Sequence, residues 1–166
     1  MTHDYDLAIR AAVATHWPEV GDWRWGKAQL IAESALNPAA VSPCGAVGIA
    51  QFLPDTWAEV SEALYHTEAT DPHDPLLAIP AYAWYMAQQW HAWTAPRPFL
   101  DRLQLAQASY NCGRGYLLTA QRLAGNVNGF AEIAAQLPNV RNVDWRQTTD
   151  YVTKISKIYA GLTSAP

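Results

Sequence analysis

Apolar residues recur along this chain mostly at spacings of three and four, and no segment sustains the alternation of a half-buried strand. The pattern therefore predicts a helical protein broken by Pro and Gly turns. From Asp22 to Leu36 it predicts one helix, ended by Asn37-Pro38 because the residue before a proline is pushed out of the helical region. The loop through Ser42, Pro43, Gly45 and Gly48 follows. A second helix is predicted to start near Thr56, where Thr56-Trp57-Ala58-Glu59 fits a capping box, with Trp57, Val60 and Leu64 on its buried face. Asp74-Pro75 opens a longer helix through Trp90, with Ile79, Ala83, Met86, Ala87 and Trp90 inward and Pro80 blurring its first turn. Leu100 to Ala108 reads as another, ended near Asn111 and Gly113. Tyr151, Ile155, Ile158 and Leu162 form one stripe of a C-terminal helix.

The helix around Glu33 stands apart. At 100° per residue, Ala28, Ile31, Ala32 and Ala35 fall on one side, while Leu30 and Leu36 flank Glu33 on the other. A helix apolar nearly all round is expected to be buried. A carboxylic acid on it loses solvation in its charged form, which pushes its pKa toward the range a general acid needs near neutrality. From periodicity alone three readings stay open: such an acid, a Glu paired with a buried Arg or Lys, or a Glu reaching solvent past Leu36.

Composition narrows the class. A chain of 166 residues, half of them apolar, can bury a core without disulfide or metal support, so one compact domain is expected over residues 1–166. The net charge is -4, with no run of like charge to track phosphates or anionic lipid; nucleic acid and membranes are excluded as expected partners, and a monomer is expected. The first ten residues carry Asp4, Asp6 and Arg10 and lack the apolar core of a secretory signal, and no stretch is apolar enough to span a bilayer. Cys44 and Cys112 sit in no zinc-type spacing and read as two buried free thiols. The histidines are scattered, and only His73-Asp74 places two potential ligands together; no metal or other cofactor is expected.

Glu33-Ser34, followed by Asn37-Pro38, Ala40-Val41-Ser42-Pro43, Gly45-Ala46, Gly48 and Gln51-Phe52-Leu53-Pro54, resembles the soluble lytic transglycosylase family. Asp74-Pro75 with Ile79 and Tyr85, Ala108-Ser109-Tyr110-Asn111 with Gly113, and Tyr151-Val152 are similar to later motifs of that family, in the same order, over residues 27–155. The resemblance implies a single-domain, mainly α, goose-type lysozyme-like fold with a central buried helix carrying the catalytic Glu33. It also implies that Ser34 supports the site, that Gln51 lines the cleft, and that Tyr110 and Asn111 contact the sugar. Tyr151 would orient the Glu33 carboxyl through its hydroxyl. Simpler roles stand beside these: Gln51 bracing its loop, Tyr110 and Tyr151 as core aromatics, and Asn111 as a helix stop. Ala78 stands where the family usually has Asn and Tyr82 where it usually has Gly, both read as away from the acid. The fold analogy also leaves a Cys44–Cys112 disulfide open, with free thiols as the expectation.

The implied reaction is cleavage of the MurNAc-GlcNAc bond of peptidoglycan strands with formation of a 1,6-anhydroMurNAc end, Glu33 being the sole acid and base. Most glycosidases use two carboxylates. Asp55, four residues after Gln51, is the candidate for a second one in a hydrolytic, goose-type lysozyme alternative, and a place at the helix start is its competing role. A non-catalytic glycan-binding or virion structural module is the alternative of another class, disfavoured because an acid on a buried helix is costly to keep. With no signal seen, the expected setting is a protein made in the cytoplasm that reaches periplasmic or extracellular peptidoglycan with a holin or in a virion, as phage endolysins and virion lysins do.

Overall fold

The computed structural model describes residues 5–67 and 70–164. His3 and Asp4 lie outside the described residues. Among those described, eight α-helices follow one another: α1 (Asp6–His16), α2 (Arg24–Ser34), α3 (Pro54–Tyr65), α4 (Pro75–His91), α5 (Phe99–Cys112), α6 (Arg114–Leu123), α7 (Phe130–Ala134) and α8 (Trp145–Ser164). No strand forms among them; two isolated antiparallel bridges, Val41 with Val47 and Val47 with Phe52, tie the loop after α2. None of these helices is long and apolar enough to cross a membrane. The chain packs as two compact units, Met1–Tyr85 with Lys157–Pro166, and Met86–Ser156.

In the first unit α2 is the buried element. Every residue from Trp25 to Leu30 is buried, the polar Lys27 and Gln29 among them. Lys27 is only 2% exposed and forms an ion pair with Asp6 of α1, which is how a lysine is tolerated there. Gly26 lets α1 and α4 come close: a Cβ on it would stand 3.0 Å from Val13 Cγ2 and 3.6 Å from Tyr82 Cε1. The Trp25 ring stacks on Tyr159 at 3.6 Å between centroids, and Asp22 accepts from the Tyr159 hydroxyl at 2.8 Å. The helix ends at Ser34, two residues short of the predicted Leu36. Ala35 and Leu36 both take positive φ, of 56° and 62°, and this reversal folds the Leu36 side chain back into the core.

Helix α3 begins at Pro54, not near Thr56. Proline lacks the N–H that a first helical residue leaves unbonded, and its φ is already helical. Thr56 and Glu59 therefore lie inside the helix, and the expected capping box is absent. Trp57 and Val60 are buried as expected and Leu64 is half-buried. The Trp57 indole donates to the Thr70 carbonyl (2.9 Å). Helix α4 starts where expected, with the Leu76 N–H donating to the Asp74 carboxylate (2.8 Å). Pro80 lies within it; the carbonyl it leaves unbonded four residues earlier belongs to Leu76, an exposed residue where water can serve.

In the second unit α5, α6 and α7 pack together around Leu103, Leu105, Leu117, Ala120, Ile133 and Leu137, all buried. The Trp93 indole donates to Ser109 Oγ (3.1 Å), which itself donates to the Leu105 carbonyl (2.7 Å). Asp101 of α5 accepts from the Phe130 N–H (2.9 Å) and so caps the start of α7. Helix α5 runs past Asn111 to Cys112 and stops at Gly113, whose φ of 90° makes the turn into α6; Gly113, not Asn111, ends the helix.

Candidate functional site

Glu33 and Ser34 form the last turn of α2. The helix is buried, as its apolar circumference predicts, but Glu33 itself is half-buried, because the helix ends one residue later. Ser34 joins that end to the following loop: its hydroxyl donates to the Ile49 carbonyl (2.8 Å) and accepts from the Asn37 N–H (3.2 Å). The buried cation nearest in sequence, Lys27, is committed to Asp6.

The loop is wound tightly enough to need its glycines. Ser42 Oγ accepts from the Ala46 N–H (2.9 Å), and Val47 and Phe52 exchange backbone bonds of 3.0 and 3.1 Å. Gly48 has a φ of 78°, and a Cβ there would lie 2.1 Å from the Pro72 carbonyl oxygen, so both conformation and space exclude a side chain. Gln51 also has positive φ, 55°. Its amide nitrogen donates to the Gly48 carbonyl (2.9 Å) and the Ala40 carbonyl (3.3 Å), so the loop-bracing role is real and Oε1 is the atom left for a ligand. Asp55 is exposed in the first turn of α3, where a negative charge complements the helix N-terminus.

Tyr82 was not expected here. Read from the sequence as remote from the acid, it is fully buried on α4 and its phenol senses Glu33. Burial, and after it the negative charge of Glu33, raise the Tyr82 pKa well above its ordinary value. No sequence signal marks this; only packing brings position 82 to α2.

In the second unit, Tyr110 and Asn111 lie in the last turn of α5 and are half-buried. The Thr148 hydroxyl of α8 donates to Asn111 Oδ1 (3.1 Å), and Tyr151 follows Thr148 by one helical turn, so α5 and α8 bring these motif residues to neighbouring positions. Tyr151 is 8% exposed and belongs to the buried stripe with Val152 and Ile155. Neither cysteine is disulfide-bonded, and neither is buried as expected: Cys44 is exposed on its loop and Cys112 is half-buried at the end of α5, where burial raises its thiol pKa. The His73-Asp74 pair is committed to structure, His73 Nδ1 lying 2.9 Å from the Pro38 carbonyl oxygen while Asp74 caps α4.

The model of the transglycosylase SLT domain family matches residues 23–133. The chain belongs to that family. The match takes in Glu33, Ser34, Gln51, Tyr110 and Asn111 and stops before Tyr151. Among curated SLT relatives, a membrane-bound lytic murein transglycosylase F of Pectobacterium atrosepticum is 29% identical over 134 residues, covering 78% of this chain and 26% of the relative. One of the same name from Haemophilus influenzae is 33% identical over 110 residues, covering 65% and 21%. The chain thus spans about a quarter of the length of the curated relatives it matches. The crystal structure of the 70 kDa soluble lytic transglycosylase of Escherichia coli superimposes with a TM-score of 0.72 over 98% of this chain and 25% of that one, at 20% identity. The lysozyme-like helical fold with its central buried helix is therefore the fold of this chain.

Proposed function

We propose that this SLT domain cleaves peptidoglycan glycan strands as a lytic transglycosylase, with Glu33 as its sole acid and base. The observation that carries the reading is the half-buried carboxylate in the last turn of a buried helix, its end pinned to a glycine-shaped loop by Ser34, in a chain that belongs to the SLT family. The names of its relatives, lytic murein transglycosylases, support the same substrate.

In the first step protonated Glu33 gives its proton to the glycosidic oxygen as the bond from MurNAc C1 breaks, and the MurNAc N-acetyl oxygen supports C1 from its own ring. In the second step the Glu33 carboxylate takes the proton of the MurNAc C6 hydroxyl, whose oxygen closes on C1. The 1,6-anhydro end results, no water is consumed, and Glu33 returns to its protonated form. Ser34 fixes the helix end that aims the carboxyl, Gln51 offers its carboxamide oxygen, and Tyr110 and Asn111 bind sugar. Tyr151 is a further supporting residue. The domain acts as a monomer on peptidoglycan outside the cytoplasm, without metal or other cofactor.

Mass spectrometry of muropeptides released from purified peptidoglycan tests this. The native chain is expected to release products one water lighter than hydrolysis gives, lacking a reducible end, and Glu33→Gln to release none. Reducible MurNAc ends would assign hydrolysis instead and bring Asp55 forward, and no release by either protein would leave a binding module.

A further inference from the structure

In the second unit, Asn111 is fixed by one atom and open at another. Its Oδ1 accepts from the Thr148 hydroxyl (3.1 Å), whereas its Nδ2 donates to nothing among the described residues and is the group left for a ligand. Thr148 is fully buried in the first turn of α8, and Asp144 caps that turn by accepting from the Gln147 N–H (3.0 Å). Trp145, the first residue of α8, stands three residues before Thr148. Residues three apart on a helix are neighbours, with Cβ atoms about 5–6 Å apart. The backbone thus sets Trp145 one turn from the residue that holds Asn111, within the same unit.

The Trp145 ring is held in place but not used up. The Arg146 guanidinium lies over it, 4.4 Å from the ring centroid. Among the described residues no other ring and no hydrogen-bond acceptor meets the indole, and Trp145 is half-buried, so solvent reaches it. Other tryptophans of the chain are committed to the fold: Trp57 and Trp93 donate through their indole N–H groups, Trp25 stacks on Tyr159, and Trp17 is fully buried. A pyranose ring has apolar carbon–hydrogen faces and a polar rim, which suits an indole beside a carboxamide donor. The match to the SLT family ends at residue 133 and does not reach Trp145.

We infer that Trp145 is a substrate-binding residue, its indole stacking on the apolar face of an N-acetylated sugar in a β-1,4-linked strand while Asn111 Nδ2 donates to the rim of that sugar. This rests on the reading of the chain as an enzyme of glycan strands. Arg146 holds the plane of the indole before the sugar arrives, so less side-chain freedom is lost on binding. Stacking of this kind is made equally before and during the reaction, so its loss raises KM and leaves kcat unchanged.

Two substitutions separate stacking from packing. Trp145→Tyr keeps a flat ring, and Trp145→Leu keeps apolar bulk without one. With soluble, uncrosslinked peptidoglycan strands as substrate, KM is expected to rise about tenfold in Trp145→Leu and no more than about threefold in Trp145→Tyr, with kcat unchanged in both. Binding is read separately by titrating the native chain with a β-1,4-linked tetramer of N-acetylglucosamine. Nitrogen-15 label in the eight tryptophan indoles gives the readout, the Trp145 signal being the one absent from Trp145→Tyr. That signal is expected to shift and saturate with the tetramer. Equal KM values in the two variants, or a Trp145 signal that the tetramer leaves unmoved, overturn the inference. If Trp145→Leu does not fold, the titration of the native chain decides. The titration needs no turnover. A native chain that binds the tetramer at Trp145 but releases no muropeptide sinks the proposed activity on its own, whereas normal release beside an unmoved indole sinks only the role of Trp145.

Discussion

Gly45 and Gly48, in the loop that carries Gln51, separate the cost of an unusual backbone from the cost of a collision. Their φ values are nearly equal, 81° and 78°. A Cβ on Gly45 meets nothing within 4 Å, whereas a Cβ on Gly48 would lie 2.1 Å from the Pro72 carbonyl oxygen. Placing an L residue in the left-handed region costs about 1–2 kcal/mol, so Gly45→Ala is expected to lose that much stability. Gly48→Ala bears the same strain, and its neighbour must also retreat by about 1 Å, which for a packed site adds about 1–3 kcal/mol. The total for Gly48→Ala is about 2–5 kcal/mol. Urea unfolding followed by circular dichroism, with slopes checked for constancy, measures both losses. Two variants within about 0.5 kcal/mol of each other would refute the argument that the Pro72 contact shapes this loop. Because Gln51 bonds to the Gly48 carbonyl, muropeptide release should also fall further in Gly48→Ala than in Gly45→Ala.

Ser34→Ala removes the donor to the carbonyl of Ile49, a fully buried residue, and the acceptor of the Asn37 N–H, so a loss of about 1–3 kcal/mol is expected in the same urea assay together with slower muropeptide release; a loss below about 0.5 kcal/mol would count against the pinning role. The Asp22 carboxyl is pushed up by burial, but bonds from Arg24 and Tyr159 outweigh this and hold it below its ordinary value. A lowered folded-state pKa means that its contribution is fully present above about pH 4, the unfolded value, and is lost as pH falls through the lower folded one. Tyr159→Phe, lacking one of those bonds, should lose less melting temperature than the native chain between about pH 5 and 2; parallel curves would remove Tyr159 from the account.

Periodicity read the helices that carry strong stripes. Ile79, Ala83, Met86, Ala87 and Trp90 of α4 are buried as predicted, and so are Tyr151 and Ile155 of α8, while Ile158 and Leu162 at its end are half-buried. Helices α1, α6 and α7 are not among the elements that the apolar pattern singles out. Two helix ends differ from the expected ones, one through packing and one through a proline. At α2 the burial of Leu36 reversed the chain before the expected Asn37-Pro38 stop, and at α3 Pro54 took the first position ahead of the Thr56 box. The two cysteines are free as expected, but their expected burial was wrong because their surroundings, an exposed loop and a helix end, are not coded in neighbouring residues.

The linear order of short motifs by itself determined the family and proposes Glu33 as its acid, and hydrophobic spacing determined the helical class, since the loop after α2 and the helix end beside it are encoded by residues close together in sequence. Only the tertiary structure decided that Gly48 must have no side chain because Pro72 stands against it, that Lys27 is spent on Asp6, and that Tyr82 of α4 is buried within reach of the Glu33 charge. Those relations join positions 21 to 49 residues apart. Spacing along a chain reports which face of its own helix a residue takes; which partner fills that face depends on how separate elements pack, and local pattern carries no record of it.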